Sequence, residues 1–474
     1  MLAFLPLLIF FAPAAGAPIA AEDEVNDAIE GDAVTGEDTP IEIDEGPIDA
    51  EGRPVPRLEL VFADVGDDVY TLYGHVALLA IDDPEAPLRE AELFNFGVTR
   101  FGSTDYVRDF LGGRVEFWGD ARAYGRQLDR WKKEDRTVIR RPLGLSREVA
   151  ARLIDQLRYD IDPVRRDYVY DTFRDNCSTR VRDYLDHYTG GAVYAAIGPM
   201  PTGRSFRDDV RVAYAGLPPL LAMCEVVPGP ELDRARTVWE LAYRPAMLVD
   251  GLGMVTTDEG PLLGETIVEY RRGGDDPRAG WIHVGQALVG VVAAVVLVLA
   301  LVARRFGPRV RSALLVAWAL GSSGLGVLLL VVGLYSAWPD MQRNALLVAC
   351  PPTDLLLLFA AVTLWRRGAV DSPLARAYLM ARGVTSALLL LATPLGGAFA
   401  GPLVPRLLTL VGLALAWRAL GPRPAAEARP RRLVGSLTGR FPAASAARRQ
   451  HEHTNSHLYS RVGAACMGRL VTKG

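Results

Sequence analysis

The chain has 474 residues and a formal net charge of −4, room for roughly two or three folding units. Residues 22–51 hold thirteen acidic side chains and no Lys or Arg, whereas residues 421–474 carry ten basic side chains against two acidic ones. Between these ends the protein is nearly neutral, which argues against a nucleic-acid-binding face.

Met1–Ala17 is apolar and closes on Ala15-Gly16-Ala17, a small-residue processing site of the kind that ends a signal peptide. It lacks a positive leading region and is followed by Pro18, so an uncleaved anchor stands as the alternative. Either one places the succeeding domain outside the cytoplasm. Residues 18–53 read as an acidic, disordered linker, because such a composition cannot bury enough apolar surface to order itself.

Residues 54–272 form the extracytoplasmic domain. Leu58–Ala63 and Val69–Ile81 are rich in β-branched and aromatic residues and read as strands, with further short strands at Glu92–Gly97 and Arg136–Arg141. Ser146–Tyr159 is helical, with Val149, Leu153, Ile154 and Leu157 on one stripe and Ser146 as its N-cap. Ser178–Tyr188 is helical in the same way, so the domain is α+β. The Gly- and Pro-rich stretch Gly190–Gly203 separates it from a less regular part that leads to the membrane.

Two residues carry the chemistry. His75 lies in Tyr73-Gly74-His75-Val76-Ala77 on a strand, and Cys177 in Asp175-Asn176-Cys177-Ser178-Thr179-Arg180 at a helix start. A thiol and an imidazole on separate elements suggest a nucleophile and its base. The positive end of the helix, with Arg180 and Arg182 nearby, is expected to lower the thiol's pKa. Backbone N–H groups of the same turn are expected to hold an oxyanion. Asn95 is the first candidate to orient the imidazole, ahead of Asp171 and Asp175, while Asn176 and Arg180 support the site. The rival reading for Cys177 is a disulfide with Cys224, which the compartment permits. His187 reads as a surface or core residue. His451, His453, His457 and Cys466 match no zinc spacing and fall in the basic tail, 421–474; no cofactor or metal is called for.

From His283 onward the hydropathy changes. Val284–Ala303, Ala313–Leu334, Ala345–Trp365, Gly383–Ala400 and Leu403–Leu420 are almost uncharged and, at about 18–22 residues each, long enough to cross ~30 Å of hydrocarbon. They make residues 283–420 an all-α, five-span membrane domain. Arg304, Arg305, Arg309 and Arg311 follow the first span, Arg366, Arg367, Arg376 and Arg382 the third, and the Arg-rich tail the fifth. By the positive-inside rule these exits are cytoplasmic, leaving the N-terminal domain outside and the C-terminus inside. The run Cys350-Pro351-Pro352-Thr353-Asp354 breaks the third span. Asp354 at that depth is either a helix cap or a lipid-handling residue.

Several segments together resemble the Lnb-type bacterial lipoprotein N-acyltransferases. These are Tyr73-Gly74-His75, Phe94-Asn95-Phe96-Gly97, Tyr168-Val169-Tyr170-Asp171, the Asn176-Cys177 block, Ser205-Phe206-Arg207-Asp208 and Asn344 to Leu356. The likeness covers about residues 58–370, and Pro218–Arg236 departs from the family's pattern. It implies a permuted papain-like (NlpC-type) thiol fold in the periplasm, anchored in the bacterial inner membrane, with His75 and Cys177 catalytic. It further implies an acyl chain passing from a phospholipid, through a Cys177 thioester, to the N-terminal amine of a diacylglyceryl lipoprotein. Two rivals use the same residues: a cysteine amidase or peptidase acting on cell-envelope peptides, and a non-enzymatic scaffold with Cys177 in a disulfide.

Overall fold

The structure, a computed structural model, describes residues 56–83, 85–100, 106–370, 372–392 and 403–420. The leader, the acidic linker, the connection 393–402 and the tail with its histidines and Cys466 lie outside these residues.

The N-terminal domain is mixed α/β. Its sheet contains β1 (Arg57–Ala63), β2 (His75–Ile81), β3 (Glu92–Val98), β4 (Glu116–Ala123), β5 (Val138–Pro142), β6 (Asp167–Val169) and β7 (Ile267–Tyr270). The strand order is β7-β5-β1-β2-β3-β4-β6, and every paired neighbour is antiparallel. The strand expected over Val69–Ile81 begins only at His75. Val69–Thr71 is a single 3₁₀ turn, and Gly74 at φ 85° reverses the chain into β2, a conformation that side-chain-bearing residues rarely adopt.

Both faces of the sheet are covered, which explains the near-continuous apolar character of β1 and β2. Leu58, Leu60, Val76, Leu78, Phe94 and Phe96 pack on one face against α2 (Arg147–Asp160) and α3 (Cys177–Tyr188). The alternate residues Val61, Ala63, Ala77, Leu79 and Leu93 meet α1 (Tyr124–Lys133), whose Tyr124, Leu128 and Trp131 form one buried stripe. At about 25 cal/mol per Å² each large buried side chain contributes roughly 1.5–3 kcal/mol. The sheet edge is stitched by buried charge: Arg140 on β5 pairs with Glu59 on β1 and Glu269 on β7.

The part after Gly203 is not a separate, less regular appendix. Val238, Val255, Leu262 and, from α4 (Pro245–Leu252), Leu248 and Leu252 complete the core beneath α3, and β7 returns to the sheet.

Among the described residues, four helices are long and apolar enough to cross a membrane: Val284–Arg305, Pro308–Tyr335, Pro339–Arg367 and Pro373–Ala392. Their regular cores are α5 (Val284–Val302), α6 (Pro308–Tyr335), α7 (Leu357–Arg367) and α8 (Pro373–Ala392). The fifth expected span is the helix α9 (Leu403–Leu420), within which Arg406–Leu415 forms a shorter apolar stretch. The fourth span is displaced from the expected Gly383–Ala400, starting ten residues earlier at Pro373. The charges that suggested a loop there are satisfied within the fold. Arg376 donates to the Val370 carbonyl at 2.8 Å, and Arg382 is buried against Asp354 at 2.8 Å.

That pair accounts for the broken span. Pro351 and Pro352 lack the N–H groups a continuous helix needs, and a freed carbonyl inside a bundle must find another donor. The Arg382 guanidinium donates to the carbonyls of Val348 and Ala349, while Asp354 accepts from Ser322 at 2.6 Å and Tyr378 at 2.8 Å. Gly326 lets the break sit against α6, because a Cβ there would collide with the Cys350 carbonyl oxygen.

Candidate active site

The loop before α3 delivers Cys177 through a dense set of local bonds. Asn176 caps the helix: its side-chain oxygen accepts from Ser178 N–H at 2.8 Å and Thr179 N–H at 2.9 Å, and the Thr179 hydroxyl accepts from Asn176 N–H at 2.8 Å. This is a reciprocal capping box. The Asn176 amide also donates to the Thr172 and Tyr243 carbonyls, both at 2.9 Å, and the Ser178 hydroxyl to Ala242 at 2.8 Å. Asn176 therefore sets where the first helical residue, Cys177, sits.

His75 opens β2. Its Nε2 lies 3.1 Å from Asn95 Oδ1 on β3, and Asn95 Nδ2 donates to the Leu93 carbonyl at 3.1 Å. Because the amide's donor end is committed to Leu93, its oxygen faces the ring and Nε2 must carry the proton. Nδ1 is then the nitrogen with the free lone pair, the basic one. Of the side chains considered for orienting His75, Asn95 is the one bonded to it. Asp171 instead caps its own turn, accepting from Phe173 N–H at 2.9 Å, and Asp175 pairs with Arg180 at 2.7 Å.

Cys177 is held against the strand that carries His75. The Cys177 sulfur is faced by the backbone N–H groups of Val76 and Ser178, so it rests against the bond joining His75 to Val76. Gly97, at φ 94°, completes the wall: a Cβ there would lie 3.7 Å from Cys177 Cβ and 4.0 Å from the Tyr168 hydroxyl. Cys177 and His75 are each part-exposed yet surrounded by protein on most sides, as in a narrow cleft.

The electrostatics reverse one expectation. The thiol is not lowered by its helix; burial pushes it up to about 11, against the opposing pull of the Val76 and Ser178 N–H groups and of Arg136. Burial, with the Arg136 cation second, brings His75 down to about 4, partly offset by Asn95. At neutral pH the Cys177 thiol and the His75 imidazole therefore both rest uncharged. Arg180 is paired with Asp175 and stacked 3.5 Å over the Tyr168 ring. Arg182 is likewise occupied, 3.9 Å over Trp239.

The cation that does act here is Arg136, which sequence reasoning missed. It is buried, donating to the Asp64 carbonyl at 2.8 Å and the Ala63 carbonyl at 3.2 Å, and its field reaches both Cys177 and His75. Nothing in its local sequence marks it, because its position depends on β1 and β5 lying side by side.

The remaining candidates lie apart. Cys224 is a free thiol, as is Cys177; it packs with Tyr73, Phe206 and Tyr214 in a different cluster, so the disulfide reading is not what the structure contains. Asp354 belongs to the membrane-domain network with Arg382, Ser322 and Tyr378, and no described contact joins it to Cys177. Among the described residues, no group of three or more His, Cys, Asp or Glu side chains could hold a metal ion.

Comparison with curated proteins and with solved structures returns no match. Residues 54–214, which contain His75, Asn95 and Cys177, match the family model described as the Lnb N-terminal periplasmic domain, and this segment of the chain belongs to that domain family.

Proposed function

We propose that the protein is a membrane-bound acyltransferase that moves a fatty acyl chain from a phospholipid to the N-terminal amine of diacylglyceryl lipoproteins. In the first half-reaction Cys177 Sγ attacks the ester carbonyl as His75 takes the thiol proton. The tetrahedral oxyanion is held by the Cys177 backbone N–H at the start of α3, since those of Ser178 and Thr179 serve the Asn176 cap, and its collapse expels the lysophospholipid oxygen, which receives that proton. In the second, the lipoprotein amine attacks the thioester, His75 accepts the ammonium proton, and the Cys177 thiolate leaves and is reprotonated. Asn95 keeps the imidazole in the required tautomer; Asn176 and Arg180 hold the nucleophile turn.

The observation that carries this reading is the convergence of Cys177, the His75–Val76 peptide and Asn95 in a domain packed directly on membrane-capable helices. A domain that works on two bilayer-anchored substrates gains from being held at the bilayer, because the encounter becomes an oriented one. The permuted papain-like relation of the fold and a fifth span at Leu403–Leu420 belong to the same proposal. So does an inner-membrane placement with the catalytic domain in the periplasm and the C-terminus in the cytoplasm.

Mass spectrometry of lipoprotein N-terminal peptides, from cells lacking native N-acylation and expressing this protein, tests it. N-acylated peptides that disappear with Cys177→Ser and with His75→Ala are expected. An unmodified amine despite good expression refutes the acyltransferase and leaves a cysteine amidase or peptidase of cell-envelope peptides as the reading to test.

A further inference from the structure

The loop that carries Cys177 is tied to the membrane domain at one side chain. Arg174, three residues before the nucleophile, makes a forked ion pair with Asp340 at 2.5 and 3.1 Å, and its second carboxylate contact is Asp171 at 3.3 Å. The other described side-chain bonds of residues 171–177 stay within the N-terminal domain. Phe173 stacks on Phe206 at 4.4 Å, and Asn176 binds the Thr172 and Tyr243 carbonyls.

Asp340 is in turn rigidly placed. It sits in the 3₁₀ turn Pro339–Met341 between α6 and the broken span, and it is 2 % exposed. Its carbonyl accepts from Gly229 N–H at 2.6 Å, and three residues past the turn's end Asn344 donates to the carbonyls of Val226 and Val227 at 2.8 and 3.0 Å. Trp338 packs edge-on to Phe110 at 4.9 Å. Gly113 admits that packing, since a Cβ there would lie 2.8 Å from the Trp338 ring. A carboxylate this buried tolerates little loss of its partner. Any displacement of the α6-to-broken-span connection must carry Arg174, and with it the turn that seats Cys177.

We propose that the Arg174–Asp340 pair is a positioning device through which the membrane domain fixes the nucleophile loop. The inference rests on the acyl-transfer reading for its kinetic consequence, but not for its structural one. Arg174 acts through Cys177 and is a positioning residue.

The test uses the full chain in detergent micelles, with a phospholipid bearing a fluorescent acyl chain as donor and N-ethylmaleimide as thiol probe. Asp340→Asn is expected to slow acylation of Cys177 by roughly 10- to 100-fold, the scale of a misplaced reacting group, while KM for the lipid stays within about 2-fold. The freed loop is also expected to label faster at Cys177, with Cys224 remaining protected. Arg174→Lys, which keeps the charge and loses the fork, should fall between Asp340→Asn and wild type.

Wild-type acylation and wild-type Cys177 labelling in both variants overturn the proposal. If Asp340→Asn exposes Cys224 as well, the chain has opened generally, and Arg174→Lys, on the part-exposed partner, decides in its place. If the wild type forms no acyl-enzyme at all, the acyl-transfer reading fails, while the labelling rates still decide the clamp.

Discussion

A neutral resting pair makes a quantitative prediction about thiol chemistry. Cys177 titrates at about 11 and His75 at about 4. Raising a thiol's pKa removes the thiolate at every pH below the new value, and lowering an imidazole's removes the imidazolium at every pH above its own. From about pH 5 to 10 the pair is uncharged. At pH 7 the thiolate fraction is about 1 in 10⁴, against about 3 % for an unperturbed cysteine at 8.5, a deficit of about 300-fold. A more basic thiolate is the better nucleophile, which returns about 10-fold over 2.5 pKa units. Alkylation of the resting enzyme should then run about 30-fold slower than that of a free thiol and rise about 10-fold per pH unit toward 10. Timed iodoacetamide pulses between pH 5 and 10.5, read as the modified Cys177 peptide by mass spectrometry, measure this directly. A rate that is already flat from pH 5 to 9 is the mark of a thiolate–imidazolium pair and would refute the electrostatic argument.

Three substitutions probe the supports. Asn95→Ala frees the ring to change tautomer and should cut acylation about 10²-fold or more with little loss of stability, as thermal unfolding and single-turnover rates would show; an unchanged rate removes Asn95 from the site. Asn176→Ala removes a cap and strands two buried helix-start N–H groups, so a loss of about 2–3 kcal/mol is expected from denaturant unfolding. Less than about 0.5 kcal/mol would mean the cap is not holding the turn. Arg382→Leu leaves Asp354 buried without its cation and should cost about 3–5 kcal/mol. Asp354→Leu with Arg382→Leu should recover part of that loss, and no difference between single and double variants in detergent unfolding would break the pairing argument.

How much of the fold and site was legible in the sequence depended on how local the cause was. The helix Arg147–Asp160 was readable because its cap and its stripe are local: Ser146 accepts from Val149 N–H at 3.4 Å and Leu153, Ile154 and Leu157 are buried. His75, Asn95 and Cys177 could be singled out by residue type and neighbours, although their meeting depends on a strand register no short window contains. Tyr124–Lys133 escaped notice because its stripe is only Tyr124, Leu128 and Trp131 among charged residues. Charge is hard to read wherever the fold, rather than the residue pattern, decides what it bonds. Arg376 and Arg382 looked like loop residues, Arg180 and Arg182 looked like activators of the thiol, and Arg136 looked like nothing. Arg136, Arg182 and Arg382 find their partners on distant elements, whereas Arg180 and Arg376 bond into the turns just before their own helices.

The same burial that keeps the pair neutral bears on which acceptor the thioester would meet. An imidazole held near 4 is a base throughout the physiological range, so its protonation does not limit deacylation until the pH falls through about 4. The acceptor's own proton then controls the second half-reaction. An α-amine, with a pKa of about 7.7–8.0, attacks only when neutral, whereas water carries no such requirement. For amine transfer, breakdown of a preformed Cys177 acyl-enzyme should therefore accelerate about 10-fold per unit up to roughly pH 7.5 and level off above 8. For hydrolysis it should be flat over that interval. Measuring that breakdown with and without a diacylglyceryl-Cys peptide separates the two acceptors without reference to overall yield. A flat profile in the presence of the peptide would assign the thioester to water, and the burial around His75 and Cys177 would then have to be explained without an amine.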